Sequence, residues 1–231
     1  MYKKLAALAV VGLLASATAA RADAVGTVET FTLNNGGSVT TTPGNYGTIT
    51  LTQTTTGVDV SETLTGTEYF AVTGAGNALS FNINGTSVAA LTTAMGSSLT
   101  SGYTLSASTP DSASPFGNFL YAIVCGIPPC SQGGGGGQVA GNHSLSFSLT
   151  GFNVSDFNVL STGGNPDAYF AADICIQTSN GGCVAGGTGN VASTSFTTTN
   201  PPPPVPEPSS LALLGTGIVG AAGLLRRRFA A

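Results

Sequence analysis

Between Arg21 and Arg226 the chain contains no lysine and no arginine; its six basic residues are Lys3, Lys4, Arg21, Arg226, Arg227 and Arg228. That absence excludes Lys or Arg salt bridges from the long central stretch, whose stability must come from apolar burial, backbone pairing and disulfides. Leaving aside Asp23 and Glu207 near its two ends, the acids of that body are Glu29, Asp59, Glu62, Glu68, Asp111, Asp156, Asp167 and Asp173, so eight carboxylates against no cation leave about −8. A body of that charge repels phosphate backbones, which excludes a nucleic-acid partner. Tryptophan is absent and His143 is the only histidine. A sugar cleft therefore lacks its largest stacking platform, and a multi-histidine metal site has no ligands.

What the chain does have is concentrated first at its two ends. Lys3 and Lys4 precede an apolar stretch from Leu5 to Ala15, followed by small residues that offer Ala-x-Ala cleavage sites. This is the pattern of a secretory signal peptide over residues 1–22, with cleavage expected after Ala22 or Ala24. At the other end Val205-Pro206-Glu207-Pro208-Ser209-Ser210 leads into an apolar run from Leu211 to Leu225 and then Arg226-Arg227-Arg228. An uncharged run followed by a basic stop describes a membrane helix over 211–225 with a basic cytoplasmic tail over 226–231. The helix is short, because about 15 residues span roughly 22 Å against a hydrocarbon core of about 30 Å. Gly215, Gly217, Gly220 and Gly223 weaken it further, as suits an anchor that is later removed.

Val205, Pro206, Glu207, Pro208 and Ser209, the Leu211 to Gly215 run and the three arginines closely resemble the PEP-CTERM sorting signal of Gram-negative bacteria that secrete exopolysaccharide. The resemblance is confined to the tail. It implies that an exosortase-type membrane cysteine protease recognises the Pro-Glu-Pro region and cuts or transfers the chain near it. The protein is then that protease's substrate, held in the membrane through its C-terminal helix before processing and placed at the cell surface or outside the cell afterwards.

Residues 23–199 form the expected ectodomain. Ile49 and Leu51 alternate with threonines, Leu79, Phe81 and Ile83 repeat the period, and Leu145, Phe147 and Leu149 continue through Phe152-Asn153-Val154 and Phe157 to Leu160. Tyr69 to Val72 and Tyr169 to Ile176 are more continuous apolar runs, as in better-buried strands. Val88, Leu91 and Met95 have the spacing of one short helix, and Asn84-Gly85 marks a turn. Many short strands separated by Asn, Gly and Pro clusters predict an all-β fold, an antiparallel β-sandwich of jelly-roll type. Gly133 to Gly137 read as a flexible loop without the Lys-Ser/Thr of a phosphate loop. Residues 200–210, with Pro201 to Pro204, read as a stiff linker that lifts the body off the membrane and presents the sorting motif.

Four cysteines in an exported chain favour oxidation. Cys125 with Cys130 and Cys175 with Cys183 are the preferred pairs among three possible connectivities, and a four-thiolate zinc site suits these spacings poorly. Catalytic constellations are scarce. A serine triad would need His143 with Asp156, Asp167 or Asp173, yet no Gly-x-Ser-x-Gly elbow accompanies them. Asp59 with Glu62 or Glu68 qualify as glycosidase carboxylates by residue type alone. Calcium at Asp156, Asn158, Asp167 and Asp173 is chemically reasonable, but no calcium-loop motif is present. The expected protein is thus not an enzyme and carries no metal or cofactor. Its role is structural, adhesive or associated with exopolysaccharide, and the alternative is a secreted hydrolase acting on that polysaccharide.

Overall fold

The computed structural model describes residues 23–201 other than 38, 40–43, 74–75, 107–110, 127, 129, 133–141 and 179–181. The segments expected to be the signal peptide, the glycine loop, the membrane helix and the basic tail lie outside those residues. So does all of the proline-rich linker after Pro201. In chain order the strands are β1 (Val28–Thr32), β2 (Gly47–Gln53), β3 (Gly57–Leu64), β4 (Glu68–Val72), β5 (Asn77–Phe81), β6 (Tyr103–Leu105), β7 (Asp111–Ser112), β8 (Asn118–Phe119), β9 (Tyr121–Cys125), β10 (Ser131–Gln132), β11 (Ser144–Thr150), β12 (Phe170–Gln177), β13 (Cys183–Ser193) and β14 (Phe196–Thr199). A helix α1 (Val88–Met95) lies between β5 and β6, and a 3-10 turn (Val154–Phe157) follows β11.

Period-two patterning decides the first sheet. Along β2, Ile49 and Leu51 are buried while Thr48, Thr50 and Thr52 face outward; along β11, Leu145, Phe147 and Leu149 point in between exposed serines. Such strands bury one face only, and they assemble as the antiparallel order β11-β3-β2-β1-β14. The second sheet uses runs buried on both faces, β5 and β12 above all. Its path is β10-β4-β12-β5-β9-β6, with β13 on the other side of β12. Both β4 and β5 pair with the same edge of β12, at its two ends, leaving Ala172 and Asp173 between their pairings. The buried Asp173 stands in that gap, where its carboxylate accepts hydrogen bonds from the Thr73 amide at 2.9 Å and from the Thr73 hydroxyl.

Phenylalanines from both sheets meet in the core. Phe31 of β1 packs edge-on against Phe170 of β12 at 4.6 Å, and Phe81 reaches Phe147 and Phe157, each at 6.0 Å. A smaller apolar cluster of Ala113, Phe116, Phe119, Ala168, Ala171 and Ala192 covers the far side of β12 and β13. The predicted antiparallel sandwich is therefore present, together with the one short helix, whose Leu91 and Met95 are the buried face. Ser87 caps it, its hydroxyl accepting from the Ala90 amide at 3.2 Å.

One expectation fails locally. The alternating strand anticipated through Val154 and Phe157 is a 3-10 turn, because the two buried residues are three apart and the Asp156 carboxylate accepts from the Asn153 amide at 2.8 Å. Close approach elsewhere demands glycine. A Cβ on Gly57, at the start of β3, would overlap the Leu149 carbonyl oxygen of the paired β11. Gly57→Ala is expected to destabilise the fold by about 3 kcal/mol, since a backbone atom rather than a mobile side chain must yield. A urea titration of the variant beside the wild type reads that loss directly, and an unchanged midpoint would contradict the tight pairing.

Candidate functional site

Strand parity separates the acids that residue type alone had grouped. Asp59 and Glu62 are three apart on β3, so they point to opposite faces: Asp59 is exposed, and Glu62 is fully buried between the sheets. They cannot act on one substrate bond, and the glycosidase pair Asp59 with Glu62 is ruled out by geometry. Asp59 accepts a hydrogen bond from the Ser148 hydroxyl of the neighbouring β11 at 2.6 Å. Glu62 lies opposite Ile49 and Leu145, and among the described residues neither of its carboxylate oxygens has a hydrogen-bond partner. Burial pushes its pKa well above the ordinary 4.5, which favours the neutral acid.

Around this end of the sandwich stand the chain's other unusual polar groups. Tyr103, on β6, packs edge-on to Phe70 at 6.0 Å, and its pKa is pushed up to about 12. Burial is the main cause, the Glu62 carboxyl adds to it, and the Asn142 side chain opposes it. Among the described residues its hydroxyl closes no well-formed hydrogen bond, so Asn142 acts as a nearby dipole rather than a full partner. Glu68, half-buried at the start of β4, is also raised, chiefly by burial, against the lowering effect of its own amide, the Thr67 amide and His143. The Tyr69 ring and the His143 ring meet at a tilt of 42° with centroids 3.9 Å apart. Residue type alone leaves Glu62, Glu68 and His143 apart; the fold draws them to one end with Tyr69, Tyr103 and Tyr46, which interacts with Glu68.

The remaining acids are each engaged elsewhere. Asp156 caps the 3-10 turn, Asp167 accepts from the Gly164 amide at 2.7 Å, and Asp173 binds Thr73. Each of the three therefore accepts its hydrogen bond from a different partner: Asn153, Gly164 and Thr73. Among the described residues no group of three or more His, Cys, Asp or Glu side chains is placed to hold a metal ion. Glu29, inward on β1, accepts from the Asn158 side chain at 3.2 Å and is raised mainly by burial.

The cysteines pair locally as preferred. Cys125–Cys130 closes the turn from β9 to β10 with Cα atoms 5.9 Å apart, and Cys175–Cys183 staples the β12–β13 hairpin at 5.6 Å. No cysteine is left free, so no thiolate set remains for zinc.

A disulfide-bonded β-sandwich without basic residues, ending in an acid-bearing proline segment, an apolar run and arginines, has the make-up of an exported protein sorted through its C-terminus. Residues 204–228 match the PEP-CTERM protein-sorting motif, a span that takes in Val205, Pro206, Glu207 and Pro208 together with Arg226, Arg227 and Arg228. The motif implies processing by an exosortase and a surface or extracellular destination. No curated protein and no solved structure matches the chain.

Proposed function

We propose that the protein is exported, processed at its C-terminus by an exosortase-type membrane protease, and deployed at the cell surface or in the extracellular polysaccharide as a structural or adhesive β-sandwich rather than as an enzyme. The sorting motif over residues 204–228 carries this reading. The body supports it in two ways. Its two disulfides suit an oxidising compartment, and its acids are buried, used as caps or split between faces rather than gathered around a substrate cleft. In this reading Glu207, between Pro206 and Pro208, is presented to the protease by the preceding prolines, and Arg226 to Arg228 hold the anchor until it is cut away.

Intact mass of the secreted form tests the proposal. The expected species ends near Pro206 to Pro208 and survives trypsin even when unfolded, because no lysine or arginine lies between Arg21 and Arg226. Glu207→Ala is expected to leave the chain cell-bound at full C-terminal length. A mature secreted mass that still includes Arg226 to Arg228 would overturn processing at this motif.

A further inference from the structure

The outward face of the first sheet is a regular array of hydroxyls. Reading across the strands, one row runs Thr197, Thr30, Thr50, Ser61, Ser146, each the registered partner of the next. A parallel row runs Thr32, Thr48, Thr63, Ser144. The third contains Thr52 beside Val28 and ends in the hydrogen-bonded pair Asp59 and Ser148. Neighbouring strands lie about 4.8 Å apart and successive outward residues about 6.8 Å along each strand, so the hydroxyls form a two-dimensional grid.

Three independent features set this grid apart from strand composition alone. All four ladders of the sheet keep register without a bulge, whereas the second sheet slips within β12–β13 and within β5–β9. The outer side of the second sheet is roofed by the Phe116 and Phe119 cluster, while the rows are half-buried to exposed. Among the described residues, no side-chain hydrogen bond occupies the hydroxyls of Thr30, Thr50 or Ser61.

We infer that this face docks an extended, neutral polysaccharide, whose own rows of hydroxyls donate and accept as threonine and serine do. The inference rests on the reading of the protein as one exported into a polysaccharide matrix. Charge selects the occupant. Glu29 and Glu62 point inward from the same strands, which leaves Asp59 as the one carboxylate in the rows, and the body supplies no cation for an anionic polymer. The rows hold no aromatic ring, so each sugar is held weakly and retention comes from many contacts along one chain.

The test uses the protein as released from cells, presented with insoluble cellulose as the neutral polymer and with alginate as the acidic one. The wild type is expected to stay on cellulose through a high-salt wash and to ignore alginate. A variant carrying Thr30→Val, Thr50→Val and Ser61→Ala removes three hydroxyls from one row while keeping side chains that strands tolerate. It is expected to lose retention by about tenfold, with its unfolding midpoint and processed mass unchanged. Thr104→Val, on β6 of the other sheet, is expected to bind as the wild type does.

Equal retention of the row variant and the wild type overturns the inference. So does a wild type that binds neither polymer, one that prefers alginate, or one that shapes ice crystals without holding cellulose. The mass of the released chain keeps the two readings apart. Retention of the C-terminal arginines counts against the sorting assignment, and a correctly processed chain that passes through the cellulose counts against the docking face alone.

Discussion

Raising the pH above about 4.5 is expected to weaken the folded body, and Glu62→Gln is expected to remove the largest single share of that loss. The reason is positional. Glu62 occupies an inward site of β3 with Ile49 and Leu145 as its cross-strand neighbours, and among the described residues both of its oxygens lack hydrogen-bond partners. Tyr103, itself displaced upward, interacts electrostatically with it across the core; Glu68 with His143 lies at the same end. In the unfolded chain Glu62 releases its proton around its ordinary pKa of 4.5, whereas the folded protein holds it to higher pH. Unfolding therefore releases a proton, and rising pH pulls the equilibrium toward the unfolded chain.

Glu29, Glu68, Asp111 and Asp173 are displaced in the same direction, burial being the first cause for each. No Lys or Arg in the body is present to pull any carboxylate the other way. The contribution of these groups is thus complete below about pH 4 and declines above it. Glu62→Leu should gain about 1–3 kcal/mol near neutrality, because an unsatisfied polar group is exchanged for an apolar one. Urea midpoints measured across the range decide the matter. A midpoint that climbs with pH would mean that Glu62 is not sealed in the core.

Reduction of the two disulfides is the second large effect. Closing a loop of 5 residues limits the unfolded chain by about 2 kcal/mol and one of 8 by about 2.5 kcal/mol on the chain-entropy model, using the observed separations. Together they amount to about 4–5 kcal/mol, a large part of the 5–15 kcal/mol typical of a domain. Cys175→Ser with Cys183→Ser should cost more than the Cys125 and Cys130 double variant. Its loop is longer, and it also frees the hairpin that carries Asp173. Cysteine-free protein is expected to unfold at a markedly lower urea concentration and to respond no further to reductant. Equal midpoints with and without dithiothreitol in the wild type would show that the bridges carry none of this stability.

The strands were legible because their signal is local. Ile49 and Leu51 against threonine, and Leu145, Phe147 and Leu149 against serine, fix which face is inward before any partner is known. The same parity assigns Glu62 to the core, since it continues the series Val58, Val60, Glu62, Leu64, a sign more informative than its being a carboxylate. An acid inside the run Ala172-Asp173-Ile174 likewise marks a buried hydrogen-bonding role. Its partner Thr73 is 100 residues away, and the division of one neighbouring strand into β4 and β5 is a long-range fact that no window of sequence contains. The polar end of the sandwich was hidden for the same reason: Tyr103, Asn142 and Glu68 come from three separate elements. Short cysteine loops were the opposite case, since spacing alone favoured both pairs. The turn at Val154 to Phe157 misled because four residues carry too little period to tell alternation from a three-residue repeat.

The two borders of the hydroxyl-bearing sheet differ. Along β11 the Thr100 amide donates to the Ser146 carbonyl at 2.9 Å, the Ser146 amide donates to the Thr100 hydroxyl at 2.9 Å, and the Ser98 hydroxyl both accepts from Ser148 and donates to it. Those side chains stand where another strand's backbone would stand, so growth of the sheet is terminated on that side. The opposite border, β14, ends one residue before the prolines begin. Proline has no amide hydrogen to add to a ladder, which limits how far any incoming strand can extend there. A protein concentrated in a crowded matrix thereby gains a safeguard against stacking into fibrils: one margin is blocked by hydroxyls and the other is cut short by the run of prolines.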